Sequence, residues 1–154
     1  MQKAPEPSVV EWLDKQPAES VWITSITLFE AHLGIARLPS GRRRKELEFA
    51  FEQLLVEDLE ERVLDFDRSA AEVASSLAAE RQRKGLTADL RDTQIAGIVI
   101  ARRSALATRN VKHFADLTVG VVNPWEAEGW FNWPGSPKAK LISNACRIPK
   151  DLPR

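Results

Sequence analysis

The chain is short of several things, and each shortage excludes something. It has one cysteine, Cys146, so an internal disulfide is ruled out and a reducing, cytoplasmic setting is expected. Its two histidines, His32 and His113, are too few and too isolated for a zinc site. No apolar run approaches the roughly 18 residues of a membrane span, so no membrane association is expected. The opening MQKAPEPS has no apolar signal core, which argues against secretion. Neither sign of charge is in excess: 22 basic residues balance 22 acidic ones. That argues against a strongly basic nucleic-acid coat, although a local basic patch stays possible.

What is present is ordinary for a soluble globular domain. The 154 residues are 44% hydrophobic and 29% charged, enough for one real core. Ser8 to Glu11 reads as a capping box opening a short helix that buries Val9, Trp12 and Leu13. Val21 to Ser25 reads as a strand and Thr27 to Leu38 as a helix, broken by Pro39-Ser40-Gly41. Arg42 to Arg62 reads as one long charged helix, Val63 to Phe66 as a strand, and Arg68 to Lys84 as a helix. Gly85 to Phe114 holds a helix followed by a short apolar strand, and Val119 to Val122 is a last strand. Beyond Ala127 the composition shifts to Trp, Pro, Gly, Asn and Lys without periodicity, so residues 128–154 read as an irregular tail. Strands alternating with helices predict βαβ units: an α/β fold with a mostly parallel sheet and helices on both faces.

Such sheets bind ligands at the carboxyl ends of their strands, and the polar residues there are the candidates for chemistry. Glu30 stands in the first turn of the helix after the first strand, among apolar neighbours. Asp92 stands in the first turn of the later helix, with Thr87 or Asp89 as its N-cap. Either carboxylate has a bland reading, an acid placed to suit the helix dipole. Thr108 could hydrogen-bond a metal-bound water or simply close the strand that follows, and Asn110 after it is equally at home as a turn residue. Arg42 to Lys45 put positive charge at a helix start, against the dipole. An RNA phosphate would relieve that, but Glu46, Glu48 and Glu52 lie at helical spacing to pair with them instead. Trp125, Trp130, Phe131 and Trp133 could stack bases or fasten the tail.

These signals fall in one order: Ser25-Ile26-Thr27, Glu30, Leu33-Gly34-Ile35, Leu38-Pro39, Asp92-Thr93-Gln94-Ile95-Ala96, Ala107-Thr108-Arg109-Asn110, Phe114 and Val122-Asn123-Pro124-Trp125-Glu126. The set resembles the PIN-domain ribonucleases of the VapC/FitB toxin type, or plasmid-stability proteins, over about Ser8 to Ala127. The resemblance implies a three-layer α/β/α PIN-like domain over residues 8–127. It also implies a toxin–antitoxin ribonuclease that cuts RNA with Mg²⁺ or Mn²⁺, usually as a homodimer neutralised by a small antitoxin. Carried over by position, Glu30 and Asp92 would be metal ligands and Asn110 a further catalytic position. Thr108 and Arg109 would line the pocket. Apart from the resemblance, Arg43 and Arg44 of the basic run are the candidates to meet RNA. His113 stands where relatives often have Asp, and no role is read into it.

One part of the pattern is missing. The family begins with an apolar strand running into an Asp-Thr-Asn type motif, whose Asp is the first metal ligand and whose strand lies mid-sheet. Here the following helix starts almost at once, at Ser8, and about a dozen residues are expected to be absent before Met1. Losing about four buried apolar side chains at ~1.5–3 kcal/mol each would cost roughly 6–12 kcal/mol, against a domain stability of about 5–15 kcal/mol. The sequence therefore predicts a vacant central strand, weak Mg²⁺ binding and impaired cleavage. An inactive antitoxin-binding relative and an RNA-binding module without cleavage are the alternatives.

Overall fold

The computed structural model describes residues 7–126 and 140–142. Helix α1 (Pro7–Asp14) lays Trp12 into the core, with Val9 and Leu13 half-buried. Because α1 already begins at Pro7, Ser8 lies inside the helix and is not its cap. Strand β1 (Val21–Thr24) runs directly into α2 (Ser25–Ala36). The junction is built by Thr24, whose hydroxyl accepts the Thr27 amide at 3.0 Å and caps the helix. Helix α3 (Arg42–Gln53) buries Phe51, and a π-helical segment (Leu54–Asp58) buries Leu55. The wider turn ends what periodicity predicts as a single helix to Arg62.

Strand β2 (Val63–Leu64) pairs with β1, and the Phe66 amide donates to the Ser25 hydroxyl at 3.0 Å, fixing the start of α2. Helix α4 (Arg68–Arg83) is capped by Asp67. It ends in a Schellman motif: the Leu86 amide returns to the Arg81 carbonyl at 2.9 Å, and Gly85 takes the left-handed φ of 69° that the motif needs. Helix α5 (Leu90–Ala101) packs along α4, then β3 (Ala105–Ala107), a 3-10 turn (Val111–Phe114) and β4 (Val121–Val122) follow.

The sheet is parallel throughout, in the order β2-β1-β5-β3-β4. It separates two cores. Trp12, Val21, Ile23, Ala31, Ile35, Phe51 and Leu55 lie on one face; Ala70, Ile95, Ile98, Val99, Leu106 and Phe114 lie on the other. Alternation along the strands divides the side chains: Leu106 faces one core and Ala107 the opposite one. This is the α/β/α layering that the resemblance implies.

The centre of the sheet corrects the expectation of a vacant strand. Strand β5 (Lys140–Ile142) lies between β1 and β3 and is parallel to both, with Trp22 and Leu106 each level with Leu141. These residues fall in the segment that composition assigns to an irregular tail. Three residues are too few to show a period-2 pattern, so composition alone missed them. Of the C-terminal aromatic group, Trp130, Phe131 and Trp133 lie outside the described residues.

Candidate active site at the carboxyl edge of the sheet

Strands β1 and β3 end at the same edge, each closed by a buried threonine. Thr24 caps α2. Thr108, fully buried, donates its amide to the Val122 carbonyl at 2.9 Å and accepts the Asn110 amide on its hydroxyl at 3.1 Å. Thr108 is thus a strand-closing residue held by its own backbone surroundings. Asn110, half-buried, caps the 3-10 turn, whose His113 amide returns to the Asn110 carbonyl at 3.0 Å. Arg109 is exposed.

Glu30 is the sixth residue of α2, in its second turn and not its first, because the helix begins at Ser25. Asp92 is the third residue of α5, as expected, and Asp89 is the cap, its carboxylate accepting the Arg91 amide at 2.8 Å. That backbone hydrogen bond is the main reason the Asp89 carboxyl titrates below its usual range.

Arg91, unremarked in the sequence, joins the two candidates. Its guanidinium lies 3.5 Å from Glu30 and 3.4 Å from Asp89. Its pKa is raised first by the hydrogen bond to Asp89, then by the charges of Asp89 and Glu30, with a smaller effect from Asp92. One cation therefore sits within the field of three carboxylates drawn from α2 and from the start of α5. No periodicity relates residues 61 positions apart, so no local signal reveals the Arg91–Glu30 contact.

Asp92 is also partnered. Its carboxylate lies 2.6 Å from Nδ1 of His113, whose ring is half-exposed while the Asp92 side chain is largely covered. His113 is the second site residue without an assigned role from sequence. Its carbonyl accepts from Arg81, a buried guanidinium that also donates to Thr93 and grips both oxygens of Asp116 at 2.7 Å. This network ties α4, the first turn of α5 and the 3-10 turn together behind Asp92. A cleft of about 250 Å³ opens beside it, lined by Arg81, Thr87, Asp89, Lys112, His113 and Asp116.

The basic run belongs elsewhere. Arg44 pairs with Glu48 at 2.8 Å and reaches the Ala36 carbonyl, the last residue of α2. That is six residues beyond Glu30, about 9 Å along the helix axis. Arg42 pairs with Glu46 at 2.7 Å, and Arg43 is exposed. For Arg42 and Arg44 the helical-spacing pairs expected as the bland alternative are formed.

The donor set for a metal is small. Among the described residues, no three His, Cys, Asp or Glu side chains gather as a ligand group. Mg²⁺ is commonly held by one or two carboxylates together with waters and substrate phosphate. Glu30 and Asp92 supply oxygen donors of that type, but each is engaged here by another side chain, Arg91 and His113, and they do not form a closed protein cage.

The PIN domain family model matches residues 4–119. The chain belongs to the PIN domain family. It is 34% identical over 125 residues to the plasmid stability protein StbB of Pseudomonas syringae pv. tomato, covering 81% of this chain and 90% of that one. It is 31% identical to the VapC ribonuclease Y4jK of Sinorhizobium fredii, over 79% of this chain and 87% of the relative. The toxin FitB of Neisseria gonorrhoeae is also 31% identical, with the same coverage of 79% and 87%. Among solved structures, FitAcB from Neisseria gonorrhoeae superposes with a TM-score of 0.73 at 30% identity, covering 81% of this chain and 90% of that one. The PIN fold expected from the ordered motifs is thereby established. Among the described residues no helix is long and apolar enough to cross a membrane.

Proposed function

We propose that this PIN-domain protein is a metal-dependent endoribonuclease toxin of a toxin–antitoxin system, acting in the cytoplasm on RNA phosphodiester bonds. The observation that carries the reading is the gathering of Glu30 and Asp92, 62 positions apart, around one guanidinium at the carboxyl edge of the sheet. In this reading Glu30 and Asp92 hold Mg²⁺ or Mn²⁺, and Asn110 and Thr108 shape the same edge beside them. Arg109, with Arg43 and Arg44 further off, attracts the RNA backbone. A bound divalent ion would supply an activated water and neutralise charge developing on the phosphate.

The chain's own residues set the terms for that ion. Arg91 pairs with Glu30, and the His113 ring lies 2.6 Å from the Asp92 carboxylate, so a cation has to compete with these contacts. Metal binding is then weak in the free protein and stronger when an RNA phosphate completes the ligand shell. The names of two relatives, a VapC ribonuclease and a toxin, support the toxin setting, and with it the reading carries a cognate antitoxin as protein partner and a homodimer as the working form.

The test is RNA cleavage with added Mg²⁺ or Mn²⁺ by the parent chain, Glu30→Gln and Asp92→Asn. Near-UV circular dichroism checks folding, and calorimetry follows Mn²⁺ binding with and without a non-cleavable RNA. Either substitution is expected to abolish cleavage and the RNA-assisted Mn²⁺ binding while leaving the fold intact. Cleavage that persists in both variants would refute the site. The contacts that already engage both carboxylates favour a second reading, a non-cleaving module that binds antitoxin or RNA; RNA binding unchanged by EDTA without cleavage would select it.

A further inference from the structure

We propose that the position between β1 and β3 is a strand-acceptor site, filled by the chain's own C-terminal segment Lys140–Ile142 as a separable insert that holds the two halves of the domain together. The inference does not depend on the nuclease reading. Among the described residues, the sheet without β5 has no ladder across its middle: β1 pairs otherwise only with β2, and β3 only with β4. The helices divide in the same way in sequence. Helices α1, α2 and α3 surround β1 and β2, whereas α4 and α5 precede β3 and β4. β5 therefore joins an N-terminal half to a C-terminal half.

The drive to fill the site comes from burial. Val21 and Ile23 on one side, and Leu106 and Ala107 on the other, are nearly inaccessible to water. With the slot empty, the backbone amides and carbonyls of β1 and β3 that face it would lose their ladder partners and the buried side chains beside them would be opened to water, a costly state. Register supports a fitted strand. Lys140, Leu141 and Ile142 stand level with Val21, Trp22 and Ile23 and equally with Ala105, Leu106 and Ala107. Two strand spacings of about 4.8 Å then set β1 and β3 about 10 Å apart.

The connection is long enough for the same chain to do this. Residues 123–139 join β4 to β5, and a crossover between parallel strands needs a dozen or more residues. The insert also stands apart from the domain's matched sequence, which ends at residue 119. β5 is thus the last strand among the described residues and the central one in space, and residues 123–139 connect it to β4. A strand so placed can act after that connection is cut.

The experiment uses the full folded chain carrying a site-specific protease sequence after Gly135. After cleavage, the C-terminal fragment is expected to stay bound in native mass spectrometry and size-exclusion chromatography. A fluorescent synthetic peptide of residues 136–154 in excess should replace it. The same peptide with an N-methylated Leu141, which lacks one ladder amide but keeps its side chain, should bind at least tenfold more weakly. In the uncut chain, Leu141→Pro should abolish the cooperative melting transition or lower its midpoint by more than 10 °C. Immediate release of the fragment with melting and hydrogen exchange of β1 and β3 unchanged would overturn the proposal. So would equal binding of the N-methylated peptide, or a Leu141→Pro chain that melts like the parent. A segment exchanged between copies would appear as concentration-dependent mixed dimers of differently tagged chains, and that result would overturn the assignment to the same chain.

Discussion

Replacing Arg81 by Met tests the network behind Asp92. The Arg81 side chain is 4% exposed and donates four hydrogen bonds, two to Asp116, one to Thr93 and one to the His113 carbonyl. Methionine keeps much of the stem and removes every donor. The Thr93 hydroxyl keeps its own bond to the Asp89 carbonyl, so the main loss is the uncompensated Asp116 carboxylate. Breaking a buried ion pair by removing one partner costs about 3–5 kcal/mol. Asp116 is 24% exposed, and water relieves part of that, which leaves about 2–4 kcal/mol. A domain of this size loses about 2–4 °C of Tm per kcal/mol, so the midpoint should fall by roughly 5–15 °C. Differential scanning calorimetry gives the midpoint, and hydrogen exchange should show residues 111–114 opening first. The double variant Arg81→Met, Asp116→Leu should recover most of the loss, because an apolar pair leaves no orphaned charge. A single variant melting within about 2 °C of the parent, or a double variant less stable than the single, would refute the reasoning.

Two further predictions concern helix packing and the pH dependence of the Arg81–Asp116 pair. In Gly97→Ala the new Cβ would stand 2.5 Å from the Ala70 carbonyl oxygen and 2.7 Å from the Ala74 Cβ, so α4 must shift away from α5. Overpacking of about 1–3 kcal/mol exceeds the roughly 0.8–1 kcal/mol that alanine gains as a helix former. Urea denaturation should show net loss, and unchanged or raised stability would contradict the close packing. The second concerns acid. Arg81 holds the Asp116 carboxyl below its usual value, chiefly by hydrogen bonding. A folded pKa below the unfolded one gives stability that is present above the unfolded value, about 3.9, and is lost as pH falls through the folded value. The stability gap between parent and Asp116→Asn should therefore narrow from about pH 5 to pH 3. A gap that stays constant across that range would show that the pair contributes nothing to acid sensitivity.

By itself the sequence determined the alternation of helices and strands, the apolar faces and the two acidic positions. These are local properties: Thr24 and Asp89 cap the helices they precede, Phe51 and Leu55 fall on one helical stripe, and Asp92 lies within the first turn after its cap. It also carried the ordered motifs that identify the PIN domain. The tertiary structure decided what depends on contacts between distant residues. Arg91 meets Glu30, His113 meets Asp92, and Arg81 joins Thr93, His113 and Asp116 only because α2, α4, α5 and the 3-10 turn converge. Above all, it decided which strand lies at the centre. Three residues without visible periodicity take that place, pairing with β1 on one side and β3 on the other, because ladder partners are chosen by strands distant in sequence, a demand that propensity along the chain does not encode.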